Sequence, residues 1–413
     1  MAIMLYDFAV WCFRLVIRLA TPFHLKAKKM IQGRRHWQTK LNRDFRDLDY
    51  PVVWFHCASL GEFEQGRPLL ESFIKIYPKY KVLLTFFSPS GYEVQKNYPH
   101  AHAVHYLPWD TASNAQEFYN ITKPVAAFII KYEFWYHLIR EGKDRNVPVM
   151  VCSSIFNEGQ IFFKPYGGLF RKILFNLDHI FVQDPGSFEL LKKIGISSAT
   201  VAGDTRMDRV AAITENTIGN DIVKRFVNGH ETFIIGSSWP QDISVVAPLV
   251  NSEKHLKFII APHEINENYL SQLDSIIERS SVCYSEYSGS TDADVLIIDT
   301  VGILSHLYQY GKYAYIGGAF GKGLHNILEA ATFGLPLFFG NQNYMKFREA
   351  VSLVELGGAV AIEDTNSLNQ AFMRLESDDG LYQQTSDVCR MFVKENTGAT
   401  KTIMDHVLTV LKP

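Results

Sequence analysis

The stretch Tyr315–Gly340, YIGGAFGKGLHNILEAATFGLPLFFG, reads as strand, glycine-rich loop, helix, short turn and strand. The apolar run Tyr313–Ile316 ends in Gly317-Gly318. Gly321 and Gly323 follow, and His325-Asn326 is expected to open a helix whose buried side is Ile327, Leu328, Ala331 and Phe333. Gly334 stops that helix, Pro336 prevents its resumption, and Leu337–Phe339 begins the next strand. Such a unit points unpaired backbone N–H groups at whatever lies above the loop, a natural place for a phosphate or carboxylate. Glu329, one turn inside, can grip a ribose or sugar hydroxyl. An ordinary β-loop-α connection would carry the same letters. The stretch is not a Walker loop, because Gly321-Lys322 is followed by Gly323 and no glycine stands five residues before Gly321. Its glycine spacing also fails the dinucleotide fingerprint.

The same rhythm extends outward from it. Val52–Phe55, Lys81–Phe86, Ala126–Ile130, Val149–Cys152 and His179–Val182 have the continuous apolar character of buried parallel strands. Helical patterns occupy Gly66–Ile76, Gly91–Asn97, Phe134–Glu141 and Gly167–Phe175 between or after them. The rhythm loosens across residues 205–230 and restarts at Phe233–Gly236, Phe258–Ala261, Val295–Ile298, Tyr313–Ile316 and Leu337–Phe339. Two doubly wound α/β domains are expected, with a ligand cleft at the carboxyl ends of their strands.

The bulk numbers bound the function. The chain has 413 residues, 47% hydrophobic and 20% charged, with a formal net charge of −2, so it is globular and nothing global suggests nucleic acid. Cys12, Cys57, Cys152, Cys283 and Cys389 are widely spaced and form no CxxC pair, which fits reduced thiols and argues against a zinc site. His263-Glu264 is followed by Glu267, so the HExxH pattern fails and no metal is implied.

Ile3–Ala20 is largely apolar but interrupted by Asp7, Arg14 and Arg18, and Lys26, Lys28, Lys29, Arg34 and Arg35 follow. Neither a cleaved signal peptide nor a clean transmembrane helix fits. The pattern suits a helix lying in a membrane interface, or a poor anchor, backed by a patch that favours anionic lipid. A buried N-terminal helix packed on the first domain is the competing reading.

Several strand ends carry polar groups. Ser59, Gly61 and Glu62 follow the first strand, where a carboxylate can serve as a general base or merely interact with a helix dipole. Glu133 follows the strand Ala126–Ile130 and is flanked by aromatics, a combination that suits sugar; Phe134 and Trp135 can equally be core. In the second domain Gly236–Trp239, Ala261–His263, Asp299–Gly302 and Gly317–Glu329 all close strands. Four such loops along one sheet edge suggest a nucleotide-sized site.

With these residues in view the chain resembles the 3-deoxy-D-manno-octulosonic acid (Kdo) transferases of lipopolysaccharide assembly, glycosyltransferases of the GT-B fold. The resemblance runs through GRRHW at Gly33–Trp37, HCASLGEFEQGRP at His56–Pro68, TFFSPSGYE at Thr85–Glu93, Pro108-Trp109-Asp110 and KYEFWYHL at Lys131–Leu138. It continues in SSIFNE at Ser153–Glu158, GDTRMDRV at Gly203–Val210, GSSWPQD at Gly236–Asp242, APHE at Ala261–Glu264 and HNILEAATFGLP at His325–Pro336. No single motif is specific, but the ordered series is.

The resemblance implies a GT-B protein of two Rossmann-like domains facing a cleft. Residues 1–40 would be the membrane-associating helix and basic flank, 41–210 the acceptor domain, 211–230 a linker, and 231–413 the CMP-sugar domain, whose last helix can pack back on the first domain. It implies transfer of Kdo from CMP-Kdo to a sugar hydroxyl of a lipid A precursor, with inversion, at the cytoplasmic face of the inner membrane, without metal, cofactor or nucleic acid. Glu62 matches the general base. Asn326, Ile327, Leu328 and Glu329 match the CMP-contacting segment, whose helix N-terminus would stabilise the leaving phosphate. Pro262 and His263, with Thr300, Val301 and Gly302, match two further donor contacts, and Ser237 offers another. Glu133, with Ser59 and Gly61, would bind sugar or acceptor. Two departures stand out: His263 occupies a position where many members have arginine, and Gly302-Ile303 stands where Gly-Glu is common. A GT-B transferase using a UDP- or ADP-sugar and a membrane-associated nucleotide-binding scaffold are the rival readings.

Overall fold

The computed structural model describes residues 2–46, 48–289 and 292–412. The chain divides into two compact units: one runs to Arg209 and resumes at Thr397, and the other is Val210–Asn396.

In the first unit β1 (Val52–Cys57), β2 (Lys81–Phe86), β3 (Ala103–Tyr106), β4 (Pro124–Ile130), β5 (Val149–Ser154), β6 (His179–Val182) and β7 (Ala199–Val201) form one parallel sheet in the order β3-β2-β1-β4-β5-β6-β7. Both faces are covered. Along β1, Val52 and Trp54 enter one apolar cluster with Leu83, Ala127 and Val151. Val53, Phe55 and Cys57 enter the other with Leu84, Phe128 and Ile130. This period-two division explains why the central strands are apolar throughout. Ile403, Met404, Val407 and Leu411, from the C-terminal helix Ala399–Val410 and the residue after it, complete the second cluster. Asp208 accepts hydrogen bonds from the N–H groups of Gly398 and Thr400 at 2.6 Å each and so fixes the start of that helix.

The second unit repeats the plan with β8 (Thr232–Ser238), β9 (Lys257–Pro262), β10 (Ser281–Cys283), β11 (Val295–Ile297), β12 (Tyr313–Ile316), β13 (Leu337–Gly340) and β14 (Ala359–Ile362), ordered β10-β11-β9-β8-β12-β13-β14 and parallel. Residues 211–230, read from sequence as a linker, hold the end of the helix Thr205–Glu215 and the helix Asp221–Val227.

The helices expected from Gly91 and Gly167 begin at Pro89 and Gly168, and two further differences in helix start bear on the site. The helix expected from Gly66 begins at Leu60, which places Glu62 in its first turn. The helix expected from Phe134 begins at Tyr136, because the preceding backbone closes turns from Phe134 N–H to the Tyr132 carbonyl and from Trp135 N–H to that of Glu133. Buried Asp110 accepts from the His137 and Leu138 N–H groups at 3.0 and 2.9 Å, satisfying donors that the first helical turn leaves free.

The N-terminal helix Ala2–Ala20 is docked by one side. Its Tyr6 hydroxyl donates to Asp110 at 2.5 Å, Asp7 faces His137 Nε2 at 2.6 Å, and Phe13 packs on Phe87 and Trp109. Its other side leaves Met4, Leu5, Phe8, Trp11, Val16 and Leu19 exposed. Among the described residues no helix is long and apolar enough to cross a membrane.

Arg34 anchors the segment that follows. It is 5% exposed, donates to the carbonyls of Leu107 at 2.7 Å, Phe87 at 2.8 Å and Met30 at 3.1 Å, and lies over the rings of Phe87, Tyr106 and Trp109. Burial lowers its pKa to about 9. Arg34→Met keeps the aliphatic stem but strands three carbonyls. The expected loss is about 3 kcal/mol in urea unfolding, against little change for the exposed neighbour Arg35→Met.

Candidate active site and nucleotide site

In the first unit β1 and β4 are neighbours, and strand order reverses between them. That is where an open α/β sheet offers a crevice. Glu62, after β1, and Glu133, after β4, are brought together there. The Glu62 carboxylate accepts from the backbone N–H of Ala58. Its pKa is raised, first by burial and then by the charge of Glu133, against the opposing pull of the Ala58 N–H, His56 and Lys131. Ser59 is the N-cap residue in extended conformation and makes no side-chain cap bond, while the space that a Cβ on Gly61 would occupy is open within 4 Å. The first turn is therefore accessible to a ligand.

Glu133 is held from two sides. Trp135 Nε1–H donates to its Oε2 at 2.8 Å, and His56 Nε2 lies 3.4 Å from the same oxygen. His56 is fully buried; its Nδ1 is 2.9 Å from the Thr85 hydroxyl, which itself accepts from Trp54 Nε1–H at 2.8 Å. Nδ1 also lies 3.1 Å from the Thr85 carbonyl, so Thr85 engages this nitrogen through both its main chain and its side chain and fixes the ring with Nε2 facing Glu133. Lys131 holds φ of +66°, a left-handed conformation uncommon for a side chain with a Cβ, and its N–H donates to the Cys152 carbonyl at 2.9 Å. Phe134 and Trp135 both pack against the apolar core, and Trp135 also stacks on Phe87 at 4.9 Å. His56 lies inside a quoted motif, yet a histidine within a buried strand gives no sequence signal of facing a carboxylate on the next one.

In the second unit the loops after β11, β9, β8 and β12 lie on four consecutive strands. The order reverses between β8 and β12, and there Trp239, His263 and His325 form a stack. His263 and His325 are 4.0 Å apart, Trp239 and His263 4.7 Å, and Lys322 Nζ lies 4.5 Å from the Trp239 ring centre. The Trp239 indole N–H donates to His325 Nε2 at 2.9 Å, so that nitrogen carries no proton. Burial, then His263, lowers the His325 pKa to about 4. Burial likewise lowers that of His263. The expectation of His263 as a phosphate donor is thereby modified: a neutral, stacked imidazole presents a ring face and at most one N–H. Pro262 ends β9, and the His263 N–H donates to the Ser238 carbonyl at 3.0 Å. Ser237, at φ +52°, forms the bend at the end of β8.

The helix expected to open at His325-Asn326 is a correction. Its regular part is one turn, Leu328–Ala331, with Ile327 as cap. The His325 N–H is drawn back to the Gly317 carbonyl at 3.2 Å, and the Asn326 side chain accepts from the Leu328 N–H at 3.2 Å while donating to Glu329 at 2.9 Å. These bonds delay the helix and leave only one turn of aligned dipoles. Among the described residues the Asn326 and Ile327 N–H groups have no acceptor, so they remain donors for an anion. Thr300, Val301 and Gly302 lie on an exposed bend after β11, with Val301 83% exposed and Gly302 at φ +87°.

Asp242, absent from the sequence-derived site residues, ties these loops together. Nearly fully buried, it accepts from the Trp239 and Gly318 N–H groups at 2.9 Å and from the Tyr315 hydroxyl at 2.8 Å. Gly317 must be glycine for the same reason, since a Cβ would come within 2.4 Å of the Ser237 carbonyl and 2.7 Å of Asp242. Elsewhere Glu231, His255 and Glu376 cluster with ligand atoms within 4.8 Å of one another. There Lys312 already pairs with Glu231 and His255 with Glu376, both at 2.6 Å.

Two Rossmann-like parallel sheets, each with polar groups at its switch point, define an α/β protein of the GT-B fold class. The same fold is found in UDP-GlcNAc 2-epimerase from Neisseria meningitidis, which matches with a TM-score of 0.62 at 14% identity over 87% of this chain and 100% of that one. Residues 31–209 match the family described as 3-Deoxy-D-manno-octulosonic-acid transferase (kdotransferase). The 3-deoxy-D-manno-octulosonic acid transferase of Chlamydophila psittaci is 22% identical over 381 residues, 88% of this chain and 87% of the relative. That of Aquifex aeolicus is 26% identical over 315 residues, 75% and 81% of the two chains. The chain is thus similar to the Kdo transferases over residues 31–209 by family model and over most of its length by these relatives.

Replacing Asp242 by alanine orphans three donors at once. Asp242→Ala is expected to cost about 3 kcal/mol in urea unfolding and to weaken CMP binding measured by calorimetry below the unfolding transition. Binding at wild-type strength in the folded variant would separate the Asp242 scaffold from the nucleotide loops.

Proposed function

We propose that this protein transfers Kdo from CMP-Kdo to a sugar hydroxyl of a lipid A precursor, with inversion at the anomeric carbon and Glu62 as general base. The observation that carries the proposal is Glu62 itself: a half-buried carboxylate on an accessible helical turn, raised in pKa by burial and by Glu133. Raising the pKa brings the base closer to the hydroxyl it must deprotonate, which strengthens general-base catalysis as long as the group stays ionised at working pH. In this reading Glu62 removes the acceptor proton as the acceptor oxygen attacks. Glu133, fixed by Trp135 and His56, hydrogen-bonds a sugar hydroxyl, and Ser59 and Gly61 line the approach.

On the donor side, the free N–H groups of Asn326 and Ile327 take the phosphate of the departing CMP, Glu329 reaches a ribose hydroxyl, and the Trp239–His263–His325 stack packs against flat or apolar parts of the nucleotide. Ser237, Pro262, Leu328 and the bend Thr300–Gly302 shape the surround. Stabilising the single leaving phosphate needs donors aimed at where charge develops, and backbone N–H groups supply these without reorganisation. The exposed apolar side of the helix Ala2–Ala20 and the basic residues Lys26 and Lys28 support a position at the cytoplasmic face of the inner membrane.

The deciding assay mixes protein, CMP-Kdo generated in place and a tetra-acylated lipid A precursor, with products weighed by mass spectrometry. A gain of one or more Kdo units is expected, with competition by CMP and not by UDP. Competition by UDP alone would mean another sugar nucleotide. Glu62→Gln should lower kcat by roughly 10²–10⁴-fold with CMP affinity unchanged; parallel loss of affinity would make Glu62 structural.

The pH profile gives an independent check. Glu62 acts only when ionised, so activity falls as pH drops through its raised pKa. The acid limb is expected at higher pH than an ordinary glutamate gives. Glu133→Gln removes a like charge, lowers the Glu62 pKa and should move that limb to lower pH, whatever it does to KM.

A further inference from the structure

A cavity of about 370 Å³ lies between the N-terminal helix and the segment after it, lined by Arg14, Arg18, Arg34 and Arg35 together with Trp37 and Trp109. Four arginines line it, and no aspartate or glutamate is among its lining residues. Arg14 and Arg18 are four residues apart and so share one side of the helix Ala2–Ala20. Among the described residues Arg14, Arg18 and Arg35 have no side-chain hydrogen bond or salt bridge. Arg34 is buried, and its three hydrogen bonds all go to neutral carbonyls, so among the described residues no carboxylate pairs with its charge.

Four cations around one hollow repel one another, and a buried cation without an anion is costly. The chain therefore stores an unbalanced positive field at a fixed place. Guanidinium forks match phosphate oxygens bidentately. A phosphomonoester carries up to two charges and three terminal oxygens and can engage several forks at once; a phosphodiester has one charge and two such oxygens. The helix that supplies Arg14 and Arg18 also exposes Phe8, Trp11, Leu15 and Leu19, a surface suited to acyl chains at a membrane interface. We infer that this cavity is a binding site for a phosphomonoester presented by a lipid, formed by Arg14, Arg18 and Arg35 around the fixed charge of Arg34.

The inference goes beyond the proposed transfer reaction and rests on it only in taking the ligand to be lipid-borne. It is tested without donor or acceptor turnover, so failure of either can be told from failure of the other. The full chain would be sedimented with phosphatidylcholine vesicles containing phosphatidic acid, a phosphomonoester, or phosphatidylglycerol, a phosphodiester, at matched zeta potential. The double variant Arg14→Gln/Arg18→Gln would be compared with Lys26→Gln/Lys28→Gln, an equal change of charge on the same segment outside this cavity. Arg34 stays native because it holds the fold.

The expected result is a loss of about tenfold in affinity for the arginine variant on phosphatidic acid, a smaller loss on phosphatidylglycerol, and no such selectivity for the lysine variant. Equal losses for both variants on both lipids would reduce the cavity to part of a diffuse basic surface and overturn the inference. Displacement from phosphatidic acid vesicles by millimolar inorganic phosphate, with phosphatidylglycerol binding untouched, would assign the site to soluble phosphate and overturn its lipid-borne part. Retained binding in that arm supports lipid presentation.

Discussion

Burial of both faces of each parallel sheet is the constraint on which the rest depends. Val52–Cys57 gives alternate side chains to opposite apolar clusters, and Phe233, Ile234 and Ile235 are all fully buried, so the interiors of such strands have little room for charge. Polar chemistry is displaced to the carboxyl ends of the strands. Of those ends, the pairs β1/β4 and β8/β12 are where consecutive connections leave in opposite directions and open a crevice. Glu62 and Glu133 occupy the first, and Trp239 and the loop Gly317–Glu329 the second. The sites are consequences of strand order, which is itself a consequence of keeping apolar strands covered.

The same constraint decides what was legible beforehand. The ten strands read from apolar runs are the inner strands of the two sheets. The four that escaped, Ala103–Tyr106, Ala199–Val201, Ser281–Cys283 and Ala359–Ile362, are the four edge strands. An edge strand has one neighbour and is partly solvated, so it needs neither length nor an unbroken apolar run; Ser281–Cys283 has no fully buried residue. Helix starts were less legible for a different reason. Leu60 begins its helix although Ser59 makes no capping bond, while Asn326 holds back the helix at Leu328 through a side-chain bond that a helical pattern does not reveal.

At the sites, residue positions were legible and their states were not. Glu62, Glu133, His263 and Asn326 could be placed because each follows a recognisable strand or glycine loop. That His263 and His325 are stacked and neutral could not, since this depends on burial and on an indole N–H from Trp239, eighty-six residues away from His325 in sequence. The histidine standing where many family members have arginine is thus more than a weakened cation. Packed against both Trp239 and His325, it offers aromatic surface in place of a fixed charge.

Two acidic side chains show how surroundings, and not residue type, assign the work. Asp242 accepts three hydrogen bonds, from two backbone N–H groups and a tyrosine, and is enclosed; every bond it makes holds a strand end to its neighbour. Burial raises its pKa and those bonds oppose the rise, so its geometry is spent on structure. Glu62 accepts one backbone N–H, faces the like charge of Glu133 and stands beside the open space at Gly61. Both carboxylates have raised pKa values, but Asp242 gives its bonding to the loops around it, whereas Glu62 keeps acceptor capacity beside open space and a second negative charge. That difference makes Asp242 a brace and leaves Glu62 available to a ligand.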